Sequence, residues 1–254
     1  MRSILARGPL QEAFRLLYRF ALVGMNYGGA GSTVSSGDEQ ALERLRRMRQ
    51  GSEPLVVLDV GANIGSYVSK VLQIVGQDTN VYAFEPSRAA FEQLEKAFGG
   101  RANVHLVCAG AAAAPGAATL WSAVPGSVLA TTYAKPIDAA SAGEPIELIT
   151  LDDFCAKRGI SRIHLLKLDV EGGEVDALRG ASRLLESDAI DMIQFEFGQP
   201  SIGARTYFAD LFALLSERFE IYRVLPTALV RIAEYHETLE VFMSTNYLAL
   251  RKRS

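Results

Sequence analysis

The chain has 254 residues, of which 49% are apolar and 22% charged, and its net charge is −3. This composition is typical of a soluble globular protein, and the length allows one sizeable core. The weakly acidic balance gives no indication of a nucleic-acid partner, so we expect no nucleic acid to bind. Cys108 and Cys155 lack the spacing of a metal site, and we expect both to be buried free thiols in a reducing cytoplasm.

The first predicted helix covers residues 11–23, within the stretch LQEAFRLLYRFALVGM. Its apolar face is formed by Phe14, Leu17, Tyr18, Ala21 and Leu22. Arginines off this face interrupt the apolar run, which disfavours a cleaved signal peptide and a membrane span. We expect the helix to pack on the domain or on a second copy in a homodimer, and peripheral contact with a membrane surface is the alternative.

Strands and helices alternate along the rest of the chain. We predict helices at 38–49, 66–75, 88–98, 174–185 and 207–218, and a short helix that begins at the N-cap Thr150. Strands are predicted at 55–60, 80–86, 104–109, 145–150, 163–170, 190–197 and 219–224, with a last extended run at 240–250. The alternation predicts a parallel sheet with helices on both faces, and the last two strands, joined without a clear helix, predict a terminal antiparallel pair.

The turn DVGANIG after the first predicted strand lies where such sheets bind ligands, beyond the carboxyl ends of the strands. A nicotinamide fingerprint would need glycine at Asn63 and Ser66 as well as at Gly61, so a dinucleotide is disfavoured. Glu85 ends the next strand, where an acid accepts hydrogen bonds from ribose hydroxyls. Because Asp59 and Glu85 together would repel a nucleoside di- or triphosphate, the pattern favours the cationic nucleoside S-adenosylmethionine.

The chain resembles the FkbM family of class I methyltransferases through an ordered set of motifs over roughly residues 24–250. These are SSGDEQ, LDVGANIGSY, VYAFEPSRAAFEQL, TLDDFC, LLKLDVEGGEVDALRGASRLL and NYLAL. The resemblance implies a Rossmann-like α/β fold with a seven-stranded, mostly parallel sheet, helices on both faces and an antiparallel last strand. It also implies S-adenosylmethionine as methyl donor and O-methylation, commonly of a sugar or natural-product hydroxyl.

The resemblance also implies roles for residues at matching positions. The methionine part of the cofactor would be held by Asp59, Gly61, Asn63 and Gly65. Glu85 would take the ribose, Asp169 would lie beside the amino group or the methyl end, and Glu39 would close over the cofactor. The segment CAGAAAAPG departs from the polar adenine-binding segment of many relatives, so we expect backbone groups at 108–110 to contact the adenine.

An alcohol acceptor needs a base, and the candidates at the carboxyl ends of strands are Asp169, Glu196 and His236. For Glu171 a functional role and a stabilising charge at a helix start remain equally open. We expect Lys167 to lie on the opposite strand face from Asp169, with its head group paired. Asp169 and Glu196 are too few ligands to indicate a metal, and none is predicted.

The sequence is therefore predicted to hold an N-terminal helical extension and lid at 1–50 and a class I methyltransferase domain at 51–254. The predicted acceptor is a hydroxyl of a small molecule or glycan, contacted by Tyr27, Arg205 and Tyr207. A methyltransferase acting on nitrogen or on a protein, and a non-catalytic nucleoside-binding protein, are the alternatives. A cytoplasmic location is expected.

Overall fold

The computed structural model describes residues 8–30, 36–49, 53–122, 131–132 and 142–252. Eleven strands are present in these ranges, in chain order: β1 Val56–Val60, β2 Asn80–Phe84, β3 Val104–Val107, β4 Gly110–Ala111, β5 Gly116–Ser122, β6 Ala142–Ile149, β7 Leu165–Leu168, β8 Met192–Phe197, β9 Phe219–Val224, β10 Leu229–Ile232 and β11 Thr245–Arg251. Nine α-helices in the same ranges connect or flank them: α1 Gly8–Gly24, α2 Asp38–Met48, α3 Ser66–Ile74, α4 Arg88–Phe98, α5 Leu151–Arg158, α6 Glu174–Arg179, α7 Ser182–Glu186, α8 Pro200–Ala204 and α9 Phe208–Leu215.

The main sheet has eight strands in the order β10-β9-β11-β8-β7-β1-β2-β3. In this sheet the neighbouring strands β3, β2, β1, β7 and β8 pair in parallel. Strand β11 lies between β8 and β9 and runs antiparallel to both. The prediction of a mostly parallel Rossmann-like sheet with an antiparallel last strand is confirmed. The eighth strand is β10, which adds an edge by pairing antiparallel with β9.

The central strands lie between two layers of apolar side chains, one on each face of the sheet. All four residues of β7, Leu165–Leu168, are buried. Parallel strands covered on both faces are rich in apolar residues, which is why the sequence predicts β7 and β8 although Lys167, Gln194 and Glu196 lie within them.

A second sheet was not predicted. It has three strands in the order β4-β6-β5, with β5 antiparallel to β6. The strand at 145–150 was expected, but β5 lies in a stretch that the sequence analysis left irregular. The first three residues of β5, Gly116–Ala118, are glycine and alanine, which are depleted in strands, so the local signal is weak.

Local contacts explain where several helices begin and end. Thr150 caps α5 by accepting a hydrogen bond from the backbone N–H of Asp153 at 3.2 Å, as predicted. The helix expected at 174–185 is divided at Gly180, where a Cβ would lie 2.1 Å from the carbonyl oxygen of Ala112. The Asp152 carboxylate then accepts hydrogen bonds from the N–H groups that open α7, at 2.9 and 3.0 Å.

One prediction about the cysteines is wrong: Cys155 is buried, but Cys108 is exposed, because it follows the end of the edge strand β3. Helix α1 does not pack along the domain, since Leu22 is its only buried side chain, and packing on a second copy stays a prediction. No helix in the described part of the chain combines the length and apolar character needed to cross a bilayer.

Candidate active site

Two cavities open at the carboxyl ends of the central parallel strands. The first, here the Glu85 cavity, has a volume of about 270 Å³ and lies between β1, β2 and the second sheet. The second, the Glu196 cavity, has a volume of about 240 Å³ and lies between the β1 turn, α3 and β8. They share Gly61, Asn63 and Asp169 as lining residues, so they meet at the turn after β1.

The Glu85 cavity has one apolar wall, and four acidic side chains also line it: Glu85, Asp169, Glu171 and Asp176. The second sheet supplies Ala118, Leu120, Ile146 and Leu148, which form one of its walls. Glu85 is 6% exposed and its carboxylate accepts hydrogen bonds from the backbone N–H groups of Asn63 and Ser87, at 2.9 and 2.8 Å. Burial raises the pKa of this carboxyl, and the two N–H donors oppose that rise. The apolar wall of the cavity therefore suits a flat ring, and the Glu85 carboxylate can accept hydrogen bonds from hydroxyl groups.

Glycine is required at two positions of the β1 turn by contacts within the chain. Gly61 has a φ of 87°, and a Cβ there would lie 1.8 Å from the carbonyl oxygen of Asp169. Gly65 has a φ of 91°, and its Cβ would lie 2.3 Å from the ring of Phe98. These glycines therefore allow β1 to approach the end of β7 and α3 to approach α4, whether or not a ligand is bound.

The N-terminus of α3 faces the Glu196 cavity without a side-chain cap. The first N–H groups of a helix have no partner within the helix, and their partial positive charge favours an anion. Ser66 and Lys70, from the first two turns of α3, both line the cavity. A carboxylate would fit this end of the cavity.

The β8 side of the Glu196 cavity is polar and largely buried. Asp38, from the start of α2, accepts hydrogen bonds from Lys70 at 2.6 Å and from the side-chain amide of Gln194 at 2.8 Å. Asn246 and Glu196 lie on the neighbouring strands β11 and β8, in register with each other. Burial, and after it the charge of Asp169, raises the pKa of Glu196. This wall therefore holds several acceptors suited to binding a polar group.

Lys167 connects the buried strands to the junction of the cavities. Its ammonium lies 3.0 Å from Asp169 and 3.6 Å from Asp59, on the same strand face as Asp169, because residues two apart in a strand point to the same side. The expectation of opposite faces is wrong, whereas the expected pairing is present. Burial lowers the pKa of Lys167, but the charges of Asp169 and Asp59 outweigh it, and the net pKa is raised. Burial raises the pKa of Asp59 to about 6.

The segment after Asp169 is tightly turned. Glu171 has a φ of 53° and lines the Glu85 cavity. Burial, followed by the charges of Asp169 and Glu196, raises its pKa to about 8. Glu174 was not singled out from the sequence. Its carboxylate accepts hydrogen bonds from the backbone N–H of Val170 at 3.0 Å and from that of Gly172 at 3.4 Å. These bonds stabilise the turn.

The structure brings together most of the residues singled out from the sequence. Gly61, Asn63, Glu85, Asp169 and Glu196 line the two cavities. Ala109 and Gly110, in the segment expected to contact adenine, line the Glu85 cavity. Asp59 is 0% exposed and lines neither cavity, and its carboxylate lies 3.6 Å from the ammonium of Lys167. Gly65 caps α3 next to the Glu196 cavity.

Other candidates lie outside both cavities. Glu39 is exposed, and its neighbour Asp38 lines the Glu196 cavity instead. The side chain of His236 is 63% exposed and accepts a hydrogen bond from the N–H of Thr238 at the start of a 3₁₀-helix, Glu237–Leu239. Tyr27 is buried, and its hydroxyl accepts a hydrogen bond from Arg223. Arg205 and Tyr207 are exposed.

The sheet is mostly parallel, with one antiparallel strand inserted near its edge, and a cavity opens at the ends of β1 and β2. These features define the class I fold of S-adenosylmethionine-dependent methyltransferases. Residues 59–222 match the sequence model described as the methyltransferase FkbM domain. The match covers more than half of the chain, and the protein therefore belongs to the FkbM methyltransferase family. No curated protein matches this chain.

The solved structures that align with this chain have little sequence in common with it. A putative rRNA-methylase from Clostridium thermocellum is 9% identical, with a TM-score of 0.47, and the alignment covers 85% of this chain and 97% of the other. A SAM-dependent O-methyltransferase from Thermotoga maritima is 12% identical, with a TM-score of 0.42 and coverages of 85% and 66%. A precorrin-6y C5,15-methyltransferase from Geobacter metallireducens is 11% identical, with a TM-score of 0.44 and coverages of 84% and 88%.

Proposed function

We propose that this methyltransferase transfers the methyl group of S-adenosylmethionine to a hydroxyl group of a sugar, glycolipid or secondary metabolite. The observation that carries the proposal is the junction of the two cavities at Gly61 and Asp169. The Glu85 cavity has an apolar wall that suits a nucleobase, and the Glu196 cavity is lined mostly by polar side chains, among them Asp38, Asp169 and Glu196. A cofactor that spans the junction would present its methyl group to an acceptor in the Glu196 cavity.

The residues present fit S-adenosylmethionine. Glu85 would accept hydrogen bonds from the ribose hydroxyls through lone pairs not used by Asn63 and Ser87. The adenine would lie against the wall formed by the second sheet, with backbone groups at 109–110 beside it. The uncapped N-terminus of α3 and Lys70 would bind the methionine carboxylate, and the Asp169 carboxylate would attract the cationic end. When bound, the cofactor supplies an electrophilic methyl group on a positively charged sulfur.

Glu196 is the residue that we propose as the general base. Its raised pKa brings it closer to neutral pH, where a base is both ionised and strong enough to take a proton from a hydroxyl. Asp38 and Asn246 would bind the acceptor by hydrogen bonds. Carboxylate and amide groups are suited to this because they form hydrogen bonds with the hydroxyl groups of a polyhydroxylated molecule. Positioning of the acceptor oxygen in line with the methyl group would supply much of the rate.

The proposal is tested in two stages. Isothermal titration with S-adenosylmethionine and with S-adenosylhomocysteine measures whether the cavities take the cofactor. Mass spectrometry of reactions with acceptors that carry hydroxyl groups, amines or protein side chains then identifies the methylated atom. Methylated oxygen is the expected result. Methylated nitrogen would overturn the O-methylation assignment, and cofactor binding without turnover on any acceptor would favour a non-catalytic nucleoside-binding protein.

A further inference from the structure

Helix α1 carries a wide apolar surface that the rest of the described chain leaves uncovered. Leu16, Leu17, Phe20 and Val23 are between 60% and 78% exposed, and Phe14 is 41% exposed. Isolated exposed apolar residues are ordinary, but a contiguous set on one helix indicates a surface that binds something.

The exposed residues follow the helical repeat. Residues three and four positions apart share a face, so Leu10, Phe14, Leu17 and Ala21 form one row and Ala13, Leu16, Phe20 and Val23 form the next. The charged residues Glu12, Arg15 and Arg19 form a narrow row on the opposite side, with Arg15 paired to Glu12 at 2.6 Å. The helix therefore has an apolar face wider than its polar face and cationic residues along the polar face, the pattern of helices that lie in a membrane surface.

Charge is distributed unevenly between this segment and the rest of the protein. Residues 1–25 contain four arginines and one glutamate, a net charge of +3, whereas the whole chain has −3, so the remainder carries −6. An anionic surface attracts the N-terminal segment and repels the body of the protein. This complementarity favours anionic lipid as the occupant and orients the protein with α1 towards it.

The C-terminal end of α1 is anchored beside the Glu196 cavity. The N–H of Gly28 donates to the hydroxyl of Thr245, and the N–H of Ala30 donates to the carbonyl of Ser244 at 3.1 Å. Ala30 itself lines the Glu196 cavity, six residues after the helix ends. Ile64, which lines the same cavity, is 46% exposed. A surface bound by α1 is therefore held near the mouth of the cavity proposed to take the acceptor.

We propose that α1 docks on an anionic lipid membrane, with its apolar face inserted among the lipid headgroups and its arginines against their phosphates. The proposal concerns a surface of the protein and holds for any acceptor. It places the Glu196 cavity next to the bilayer.

Co-sedimentation of the full chain with lipid vesicles tests this docking. Wild-type protein should sediment with phosphatidylcholine vesicles that contain phosphatidylglycerol, and binding should weaken in high salt, because salt screens the arginines. L17D/F20D should lower the vesicle affinity by at least about tenfold, since each buried leucine or phenylalanine contributes that much. V230D controls for an aspartate placed on an exposed apolar side chain away from α1, with one added charge in place of two; Val230 is 40% exposed on β10, and the variant should bind like wild type.

The charge contribution is tested separately. R15Q/R19Q should weaken binding to the anionic vesicles by about fivefold for each charge removed, whereas R46Q/R47Q, a change of the same charge on α2, should have no effect. All variants should bind S-adenosylmethionine like wild type in calorimetry, a readout that reports on the proposed function independently of docking.

Three outcomes would overturn the docking proposal. Wild-type protein could remain in the supernatant with anionic vesicles, or L17D/F20D could sediment as well as wild type. A wild-type dimer that L17D/F20D converts into monomers would show that a second copy covers α1. Sedimentation velocity of both proteins without vesicles distinguishes this last case.

Discussion

The ammonium of Lys167 lies 3.0 Å from a carboxylate oxygen of Asp169 and holds that carboxylate at the junction of the two cavities. Below it, neither carboxylate oxygen of Asp59 has a hydrogen-bond partner among the described residues, so the charge of Lys167, at 3.6 Å, is what compensates this buried acid. One lysine therefore serves both the stability of the strand core and the geometry of the site.

Lys167→Met is expected to destabilise the protein by about 3 to 5 kcal/mol at neutral pH, because Asp59 becomes a buried charge without a partner. Urea unfolding at several pH values measures this loss. The loss should shrink as the pH falls towards about 6, because Asp59 without Lys167 has a higher pKa than in the wild type and is already protonated in the variant there. D59V/K167M should recover much of the stability but not the cofactor affinity, since Asp169 remains unsupported. Recovery of both would contradict the role assigned to Lys167 in the site.

Glu85→Ala is expected to weaken S-adenosylmethionine binding by roughly 10- to 100-fold, the cost of losing hydrogen bonds to a charged acceptor. Calorimetric titration measures the change. The variant should also lose some stability, because the N–H groups of Asn63 and Ser87 lose their acceptor. Glu92→Ala, an exposed acid on α4, is the control. Equal cofactor affinity in the two variants would remove the ribose role of Glu85.

Glu196→Gln is expected to lower kcat by roughly 10²- to 10⁴-fold, the usual contribution of a general base, with cofactor affinity unchanged. The rise of kcat/KM with pH that a base produces should disappear in this variant. His236→Ala should retain full activity, because His236 lies outside both cavities. A large loss of kcat in His236→Ala alone would instead identify His236 as the base.

Gly61→Ala is expected to unfold the protein or to lower its stability by more than about 3 kcal/mol, because the new Cβ would collide with the backbone of Asp169 at a positive φ. Thermal unfolding measures the effect. Gly116→Ala is the matched control, since a Cβ at Gly116 meets nothing within 4 Å. A soluble Gly61→Ala protein with an unchanged melting temperature would contradict the close approach of β1 and β7.

Glu171→Gln is expected to stabilise the protein in alkaline solution. The pKa of Glu171 is raised to about 8 in the folded state, so the folded protein holds its proton more tightly than the unfolded chain, and stability falls as pH rises between about 4.5 and 8. The neutral amide removes this dependence, a gain on the order of 3 kcal/mol at pH 9 after allowing for the partial exposure of Glu171. Melting curves of both proteins at pH 4, pH 6 and pH 9 should show no difference at pH 4, a small difference at pH 6 and the full difference at pH 9.

The sequence predicts well those parts of the fold that are set by local patterns. Buried parallel strands such as β7 are apolar runs, and Thr150 is recognised as a cap because its neighbour Asp153 lies three residues on. The position of Glu85 in a cavity follows from the sequence because Glu85 comes at the end of a strand beside the glycine turn, and cavities open at the ends of parallel strands; its contact with ribose stays a prediction.

The features that the sequence does not reveal depend on the direction in which a side chain points or on the pairing of strands far apart in the chain. Asp38 and Glu39 are adjacent at the start of α2, and successive side chains of a helix point in different directions. Asp38 therefore lines the Glu196 cavity, whereas Glu39 is exposed to solvent. The pairing of β5 with β6 joins Ala117 to Glu147 across a long connection, and small residues give it no local signal. His236 precedes the last strand in the chain, but its position relative to the cavities depends on the 3₁₀-helix that it caps.

The second sheet supplies one wall of the Glu85 cavity and contributes none of the acids at the junction. Its side chains Leu120 and Ile146 could therefore be made smaller to admit cofactor analogues with enlarged bases, while the groups proposed to move the methyl remain untouched. The groups proposed to select the nucleoside and those proposed to transfer the methyl group therefore lie on separate stretches of chain and are open to independent engineering.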